Sequence, residues 1–229
     1  MQMNSLPLVS VITPAFNAEA TLRRAHDSVR QQLANWEHII IDEGSIDATG
    51  GIVSALSVDC RVIGTTRANG GPGAALNTGL DLARGKYIAF LDADDEYFPN
   101  HLEAHVARLE SHGRVDILWG GFEVVCDSPE DAFVPDVAKG IGYVHLSECV
   151  VQGTIFARAE VFEQLRFNED RAVWYQDYDF IERARERYAV EKFALKTYRY
   201  YRGHGSSIVD AAKKSWPNRT GASYSNSQP

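Results

Sequence analysis

The chain has 229 residues, of which 45% are hydrophobic and 24% charged, a composition typical of a soluble globular protein. This length predicts one domain whose core needs neither disulfides nor a structural metal. The net charge of −8 argues against a general nucleic-acid-binding protein. An acidic chain that binds a phosphate group needs a metal ion or backbone amides to supply positive charge.

The cysteines and the apolar segments bear on the compartment. Cys60, Cys126 and Cys149 lie far apart and match no zinc-binding spacing. Because the sequence also shows no secretory signal, we expect these cysteines to be free thiols in a reducing, cytoplasmic setting. No apolar run approaches about 20 residues, so we expect no transmembrane segment. Peripheral contact with a membrane is compatible with the sequence, although no segment points to it.

Strand and helix patterns alternate along the first half of the chain. Apolar, β-branched runs predict strands at 8–13, 37–42, 60–66, 86–92 and 115–125. Amphipathic patterns and capping residues predict helices at 18–33, 47–56, 71–85 and 99–113. This order predicts an α/β fold with a mostly parallel, Rossmann-like sheet flanked by helices.

The second half is less regular. It predicts strands at 141–146, 150–157 and 190–195, a helix at 176–187 and a small mixed region. We expect one domain over 1–212, with a ligand-binding half at about 1–127 and a second half at about 128–212. The polar tail at 213–229 is expected to be disordered.

Ligands of parallel sheets bind beyond the carboxyl ends of the strands. This rule places residues 14–17, 42–45, 67–73 and 92–95 along one edge. At this edge Asp92, Asp94 and Asp95 follow a buried strand, and their oxygens suit a hard cation such as Mg²⁺ or Mn²⁺. The alternative is a solvated acidic turn before the next helix.

Four other segments carry candidate groups, each with a plain structural alternative. Asp42 is a candidate acceptor for a nucleobase N–H or a cap for the next helix. The stretch at 67–79 departs from a dinucleotide fingerprint, but its glycines and helix start suit a phosphate or simply a tight turn. Asp177 is a candidate general base or a favourable helix-start charge. His204, between glycines, is a candidate metal ligand or a surface residue.

The order of these motifs resembles a family-two glycosyltransferase with the GT-A fold. The resemblance rests on VSVITPAFNAEATL, IIIDEGSIDAT, NGGPGAALNTGLDLARGKYIAFLDADDEYFP, QDYDFIERA and YRGHGSSI, and it covers residues 8–208. It implies inverting transfer of a sugar from a nucleotide-diphosphate sugar, usually UDP-linked, to a sugar, lipid-linked or other hydroxyl acceptor.

The resemblance also implies roles for individual residues. Asp177 matches the catalytic base, Asp42 the residue that binds the base of the nucleotide, and Asp92, Asp94 and His204 the groups near Mn²⁺ or Mg²⁺. The remaining expected contacts to the nucleotide-sugar are Pro14, Ala15, Phe16, Asn17, Glu19, Asn69, Gly73, Ala93 and Arg202, together with Asp92 and Asp94.

Three positions depart from the family pattern. Glu43 stands in place of a second aspartate, Gln176 in place of a glutamate, and Leu76 in place of an arginine. Glu43 and Gln176 favour an alternative in which the chain binds a nucleotide-sugar with little or no turnover. A sugar-nucleotide nucleotidyltransferase would need a glycine-rich basic loop after the first strand, and the segment 13–24 has no glycine.

Overall fold

The computed structural model describes residues 6–111, 113–136, 138–139, 142–173 and 175–202. They fall into two compact units. The first runs through Glu123 and again from Val150 to Tyr200, and the second comprises Val124–Cys149 and continues from Tyr201. The predicted 1–212 domain and its two halves stay predictions, and the tail at 213–229 lies outside the described residues.

Twelve strands and six α-helices are described. The strands are β1 Val9–Ala15, β2 Trp36–Asp42, β3 Val62–Thr66, β4 Tyr87–Phe90, β5 Glu96–Tyr97, β6 Ile117–Trp119, β7 Phe122–Val125, β8 Phe133–Pro135, β9 Tyr143–His145, β10 Phe156–Arg158, β11 Val190–Lys192 and β12 Tyr198–Tyr201. The helices are α1 Leu22–Arg30, α2 Thr49–Leu56, α3 Pro72–Leu82, α4 His101–Glu110, α5 Val161–Gln164 and α6 Gln176–Arg185.

The first unit is built on a seven-stranded sheet of order β11-β6-β10-β4-β1-β2-β3. Strand β1 pairs in parallel with β2 and β4, β2 with β3, and β6 with β11. The predicted α/β fold with a mostly parallel sheet is therefore confirmed. Strand β10 runs antiparallel between β4 and β6. The sequence predicted a strand at 150–157 but neither its direction nor its place in the sheet.

The central strands are buried on both faces, which is why their sequences are nearly all apolar. Ile12, Ile39, Ile41 and Phe90 belong to one core cluster that also takes up side chains of α3, α5 and α6. The register that pairs Val9 with Trp36 along β1 and β2 brings both strands to an end together, at Ala15 and Asp42. Their carboxyl ends therefore open onto one edge of the sheet.

The predicted strand at 115–125 is wrong as a single element. It forms β6 and β7, separated by Gly120 and Gly121, whose φ angles are +94° and +71°. A Cβ atom on Gly121 would lie 2.2 Å from the Leu195 carbonyl oxygen. The close backbone approach and the left-handed conformation both require glycine here.

Helix α1 begins at Leu22, later than the predicted start at residue 18. The amides of Ala18 and Glu19 donate instead to the Thr49 hydroxyl and the Asp47 carboxylate, at 2.7 and 3.1 Å. These bonds hold the segment before α1 in a loop.

In the second unit, β8 and β9 form an antiparallel pair. No helix among the described residues is long and apolar enough to cross a membrane.

His105 is a buried histidine held neutral inside the first unit. Burial lowers the pKa of His105 to about 4, whereas an unfolded histidine titrates near 6.5. Protonation below pH 6.5 therefore favours the unfolded chain, so this residue costs stability as the pH falls. Its Nε2 atom has no hydrogen-bond partner among the described residues.

We predict that His105→Leu becomes more stable relative to the wild type as the pH falls from 7.5 to 5.5. The difference in unfolding free energy should shift by about 1.4 kcal/mol in favour of the variant. Urea unfolding of both proteins at the two pH values measures this shift. A difference that does not change with pH would contradict a buried, neutral His105.

Candidate active site

Two loops at the carboxyl ends of β1 and β2 interlock through reciprocal hydrogen bonds. Asn17 receives the Ile46 amide on its side chain at 3.0 Å and donates its own amide to Ser45 Oγ at 2.9 Å. The Glu19 carboxylate accepts the Ala48 amide at 2.8 Å. The side chains of Asn17 and Glu19, both predicted to contact the nucleotide, thus engage in fixing the shape of this edge.

The three residues before Asn17 lie at the same edge and differ in how exposed their side chains are. Ala15 is buried, Pro14 is half-buried, and the Phe16 side chain is half-exposed. The Ala15 carbonyl accepts the Glu43 amide at 2.9 Å, which continues the pairing of β1 with β2 beyond the strand ends. Phe16 therefore presents an aromatic surface directly beside the buried end of β2.

Asp42 and Glu43, both buried at the end of β2, have different surroundings. Asp42 Oδ1 accepts the Ser45 amide at 3.0 Å, and its Oδ2 lies 3.2 Å from the place of a Cβ on Gly50 in α2. Asp42 is thus engaged in shaping the loop and the start of α2. Glu43 Oε1, by contrast, has no hydrogen-bond partner among the described residues.

Glu43 lies among groups that favour its charged form. Burial raises the pKa of Glu43, while the Arg67 guanidinium, the Gly70 and Gly71 amides and Arg171 lower it. The side chain is 5% exposed. A buried carboxylate oxygen without a partner is a strong acceptor for an N–H group of a ligand.

Two predicted contacts to the nucleotide-sugar, Asn69 before α3 and Gly73 in its first turn, have structural partners. Asn69 Oδ1 accepts the Gly71 amide at 3.3 Å and an Arg171 Nη2 donor at 3.2 Å. A Cβ atom on Gly73 would lie only 2.0 Å from the Asn168 carbonyl oxygen. Gly73 therefore allows α3 to pack directly against the backbone that leads to α6.

The acidic segment after β4 is held by one tyrosine. The Tyr198 hydroxyl donates to Asp95 Oδ2 at 2.6 Å and accepts the Asp92 amide at 3.3 Å. Tyr198 and Asp95 are fully buried, whereas Asp92 and Asp94 keep part of their surface. Asp95 is therefore a structural carboxylate, whereas Asp92 and Asp94, on either side of the buried Ala93, are partly exposed.

Asp177 lies at the first turn of α6, and its carboxylate accepts the Tyr178 amide at 2.8 Å. Burial raises the pKa of Asp177 to about 6, and hydrogen bonds from the amides of Tyr178 and Gln152 oppose the rise. The pKa of Asp92 is also raised, first by burial and then by repulsion from Asp94 and Asp177. Asp94 and Asp177 are thus both close enough to Asp92 for their charges to act on it.

The carboxylates of Asp92 and Asp94 fit a hard divalent cation that is shared with a substrate. Among the described residues, no three His, Cys, Asp or Glu side chains form a complete metal site. Two carboxylates with phosphate oxygens and water suit Mg²⁺ or Mn²⁺, which rarely depend on an all-protein cage. A cation here would also relieve the repulsion that raises the pKa of Asp92.

Two predicted site residues remain, His204 and Arg202. His204 lies outside the described residues. Arg202 belongs to the second unit, where its amide donates to the Val125 carbonyl at 2.8 Å and its Nε to the Asp131 carbonyl at 3.4 Å. Its assignment to the nucleotide-sugar stays a prediction.

Sequence motifs did not point to two residues that organise this edge. Gln152 Nε2 donates to Asp92 Oδ1 at 2.9 Å across 60 residues of sequence, and Tyr198 reaches Asp95 across 103. Neither pair has a recognisable spacing. Only the insertion of β10 beside β4 brings Gln152 to the acidic segment.

A match to a protein-family model identifies the family to which this chain belongs. The model described as "Glycosyl transferase family 2" matches residues 10–132, more than half of the chain. The chain belongs to glycosyl transferase family 2. The matched segment contains β1 to β7 and the acidic residues after β4. The resemblance on which the sequence prediction rested is therefore confirmed.

A curated relative and two solved structures illustrate this similarity. The relative is the UDP-Glc:α-D-GlcNAc-diphosphoundecaprenol β-1,3-glucosyltransferase WfgD of Escherichia coli, 37% identical over 120 residues that cover 52% of this chain and 47% of WfgD. The chain spans about half the length, or less, of several curated relatives that it matches.

The solved structures share the fold. Staphylococcus aureus TarS 1–349 in complex with UDP-GlcNAc has a TM-score of 0.70 at 20% identity, over 89% of this chain and 60% of TarS 1–349. The mannosyltransferase PcManGT of Pyrobaculum calidifontis, in complex with GDP-Man and Mn²⁺, has a TM-score of 0.65 at 19% identity, over 86% and 57% of the two chains. Both are GT-A glycosyltransferases, so the GT-A fold is confirmed.

We predict that Gly73→Ala destabilises the chain, whereas Gly51→Ala does not. The added Cβ at residue 73 meets the Asn168 backbone and should cost about 1–3 kcal/mol. Gly51 lies inside α2 with open space around it, so alanine there should add up to about 1 kcal/mol of stability. Chemical denaturation of both variants tests this; equal effects would contradict the close contact of α3 with Asn168.

Proposed function

We propose that this chain transfers a sugar from a nucleoside-diphosphate sugar to an acceptor hydroxyl, with inversion at the anomeric carbon. The observation that carries the proposal is the approach of Asp177 to Asp92 at one sheet edge, from the two separate segments of the first unit. Repulsion between these carboxylates contributes to the raised pKa of Asp92. A base that lies close to a donor-binding carboxylate suits direct displacement of the nucleoside diphosphate by the acceptor hydroxyl.

The base role suits the environment of Asp177. A general base works best when its pKa lies near the working pH, and burial raises the pKa of Asp177 to about 6. The acceptor oxygen attacks the anomeric carbon as the bond from that carbon to the diphosphate breaks. Asp177 takes the hydroxyl proton, and the nucleoside diphosphate leaves with the bonding electron pair.

Asp92 and Asp94 are the proposed ligands of Mn²⁺ or Mg²⁺ on the donor side. A divalent cation held by these carboxylates supplies positive charge to the departing diphosphate. The mannosyltransferase PcManGT, whose structure holds GDP-Man and Mn²⁺, supports this cofactor class. TarS with UDP-GlcNAc supports a nucleotide-sugar donor.

Glu43 is the carboxylate that we propose for the nucleobase, in place of the predicted Asp42. Asp42 already accepts the Ser45 amide and lies against α2, whereas Glu43 Oε1 is buried without a partner among the described residues. An N–H of the base would satisfy this oxygen. Burial raises the pKa of Glu43, and the Arg67 guanidinium nearby opposes that rise.

The proposed acceptor class comes from a relative. The name of WfgD gives it a lipid-diphosphate-linked sugar as acceptor and UDP-glucose as donor. We propose a glycan or lipid-linked glycan hydroxyl for this chain on that similarity. A cytoplasmic location remains a prediction.

We predict that Glu43→Gln weakens nucleotide binding by about tenfold, because a buried hydrogen bond to a charged group is lost. A thermal-shift screen of UDP, GDP, CDP, TDP and ADP with Mn²⁺ first finds the nucleotide that stabilises the native chain. Calorimetry with that nucleotide then compares Glu43→Gln with the matched variant Asp42→Asn, which should bind within about twofold of the wild type. The reverse ranking would restore Asp42 as the base contact.

We predict that Asp177→Asn lowers the rate of sugar transfer by about 10²–10⁴-fold and leaves nucleotide binding intact, because only the base is removed. The matched control is Asp179→Asn, two residues along α6, whose carboxylate pairs with Arg183 at 2.7 Å. It should keep most of the activity. Transfer to an acceptor hydroxyl and calorimetry with the nucleotide measure the two effects.

The pH profile gives an independent check on the same residue. The wild-type rate should fall as the pH drops below about 6, because a base with a raised pKa becomes protonated there. Full activity of Asp177→Asn, or equal losses in the two aspartate variants, would remove Asp177 as the base. Nucleotide binding by the wild type without transfer to any acceptor would favour a binding module instead.

A further inference from the structure

Gln152 occupies the centre of the acidic site without carrying charge. Its side-chain Nε2 donates to Asp92 Oδ1 at 2.9 Å, and its backbone amide lies near enough to the Asp177 carboxylate to lower the pKa of that group. Its Oε1 accepts a bond from Gln176 Nε2 at 3.4 Å. One residue therefore contacts the donor-side carboxylate, the proposed base and the residue that precedes the base.

The turn that carries Gln152 is rigidly held. Residues Gln152–Thr154 form a 3₁₀ turn, and a Cβ atom on Gly153 would lie 2.0 Å from the Tyr198 hydroxyl. The Thr154 hydroxyl donates to the Val151 carbonyl at 2.7 Å and accepts the Gly120 amide at 3.0 Å. The position of Gln152 is therefore fixed before any ligand arrives.

A neutral amide suits this place for an electrostatic reason. A lysine or arginine would neutralise Asp92 and compete with a divalent cation, and a carboxylate would add to three like charges. An amide N–H orients Asp92 and leaves its negative charge available. Gln152 is 6% exposed, so water does not readily replace the bond.

Gln176 determines which end of the Gln152 side-chain amide faces Asp92. Its Nε2 donor faces Gln152 Oε1, which leaves the Gln152 NH₂ group to face Asp92. A glutamate at 176, as in the family pattern, would place a carboxylate against that oxygen. Gln152 would then have to turn its amide over and present its own oxygen to Asp92. Gln176 and Gln152 thus form a matched pair.

We propose that Gln152 is a positioning residue that orients Asp92 for the donor, and that Gln176 acts through it by fixing the direction of its side-chain amide. The inference rests on the proposed function, because it concerns how the donor-side carboxylate is held. It assigns both residues to donor binding. It also gives a physical reason for the departure at residue 176.

The first test is calorimetric binding of UDP, and of GDP in a parallel titration, with Mn²⁺ to the full chain. Gln152→Met keeps the length of the side chain but removes its amide, and it should weaken binding of the accepted nucleotide about tenfold. The matched control is Gln32→Met, the same change at another buried glutamine, whose side-chain amide bonds to the backbone of Ser28, Phe98 and Leu102. It should lower the unfolding temperature and leave binding within about twofold.

The second test asks whether the two glutamines act through Asp92. Gln152→Met should lose most of its effect on binding when combined with Asp92→Asn, and Gln176→Met should lose its effect when combined with Gln152→Met. In transfer assays, Gln152→Met should raise the donor KM about tenfold and change kcat less than about threefold. This split separates a positioning role from a general loss of folded protein.

Two different results would overturn the inference. Wild-type binding and donor KM in a folded Gln152→Met variant would remove Gln152 as a positioning residue while leaving the proposed function intact. Additive effects in the double variants would show that the glutamines do not act through Asp92. A wild-type chain that binds none of UDP, GDP, CDP, TDP and ADP would instead overturn the proposed function, and the role of Gln152 with it.

Discussion

Repulsion among the carboxylates at the end of β4 is the constraint on which the site depends. Asp94 and Asp177 both repel Asp92, and burial makes the surroundings of Asp92 and Asp177 unfavourable for charge. A fold does not keep such a cluster unless other contacts hold it. Tyr198 and Gln152 supply those contacts from neutral side chains, so the negative charge that would attract a divalent cation is preserved.

The architecture of the first unit imposes this cluster. Strand β4 pairs with β1 on one side and with β10 on the other, so the segment after β4 meets both the loops of the parallel half and the turn before β10. Gly73 lets the backbone before α6 pack closely on α3. The packing of the core thereby decides where Asp177 lies relative to Asp92.

Much of this arrangement was predictable from the sequence, and the missing part has a clear cause. Apolar strand runs and helix patterns predicted the α/β sheet, and strand-end polarity pointed to Asp92 and Asp94, because both signals are local. The antiparallel β10, the break at Gly120–Gly121 and the contacts of Gln152 and Tyr198 depend on pairing between distant segments, which leaves no spacing motif. Asp42 and Glu43 are neighbours in sequence, and only their surroundings distinguish a loop-shaping carboxylate from one with an unsatisfied oxygen.

The central claim is that Asp92 and Asp94 hold a cation shared with a nucleoside diphosphate beside Asp177. A crystal structure with Mn²⁺ and the nucleotide selected by thermal shift tests it most directly, because manganese can be located by its anomalous signal. The account predicts a manganese peak within about 2.5 Å of an Asp92 or Asp94 carboxylate oxygen and of a phosphate oxygen. A peak away from these carboxylates, or a nucleotide bound at another edge of the sheet, would contradict it.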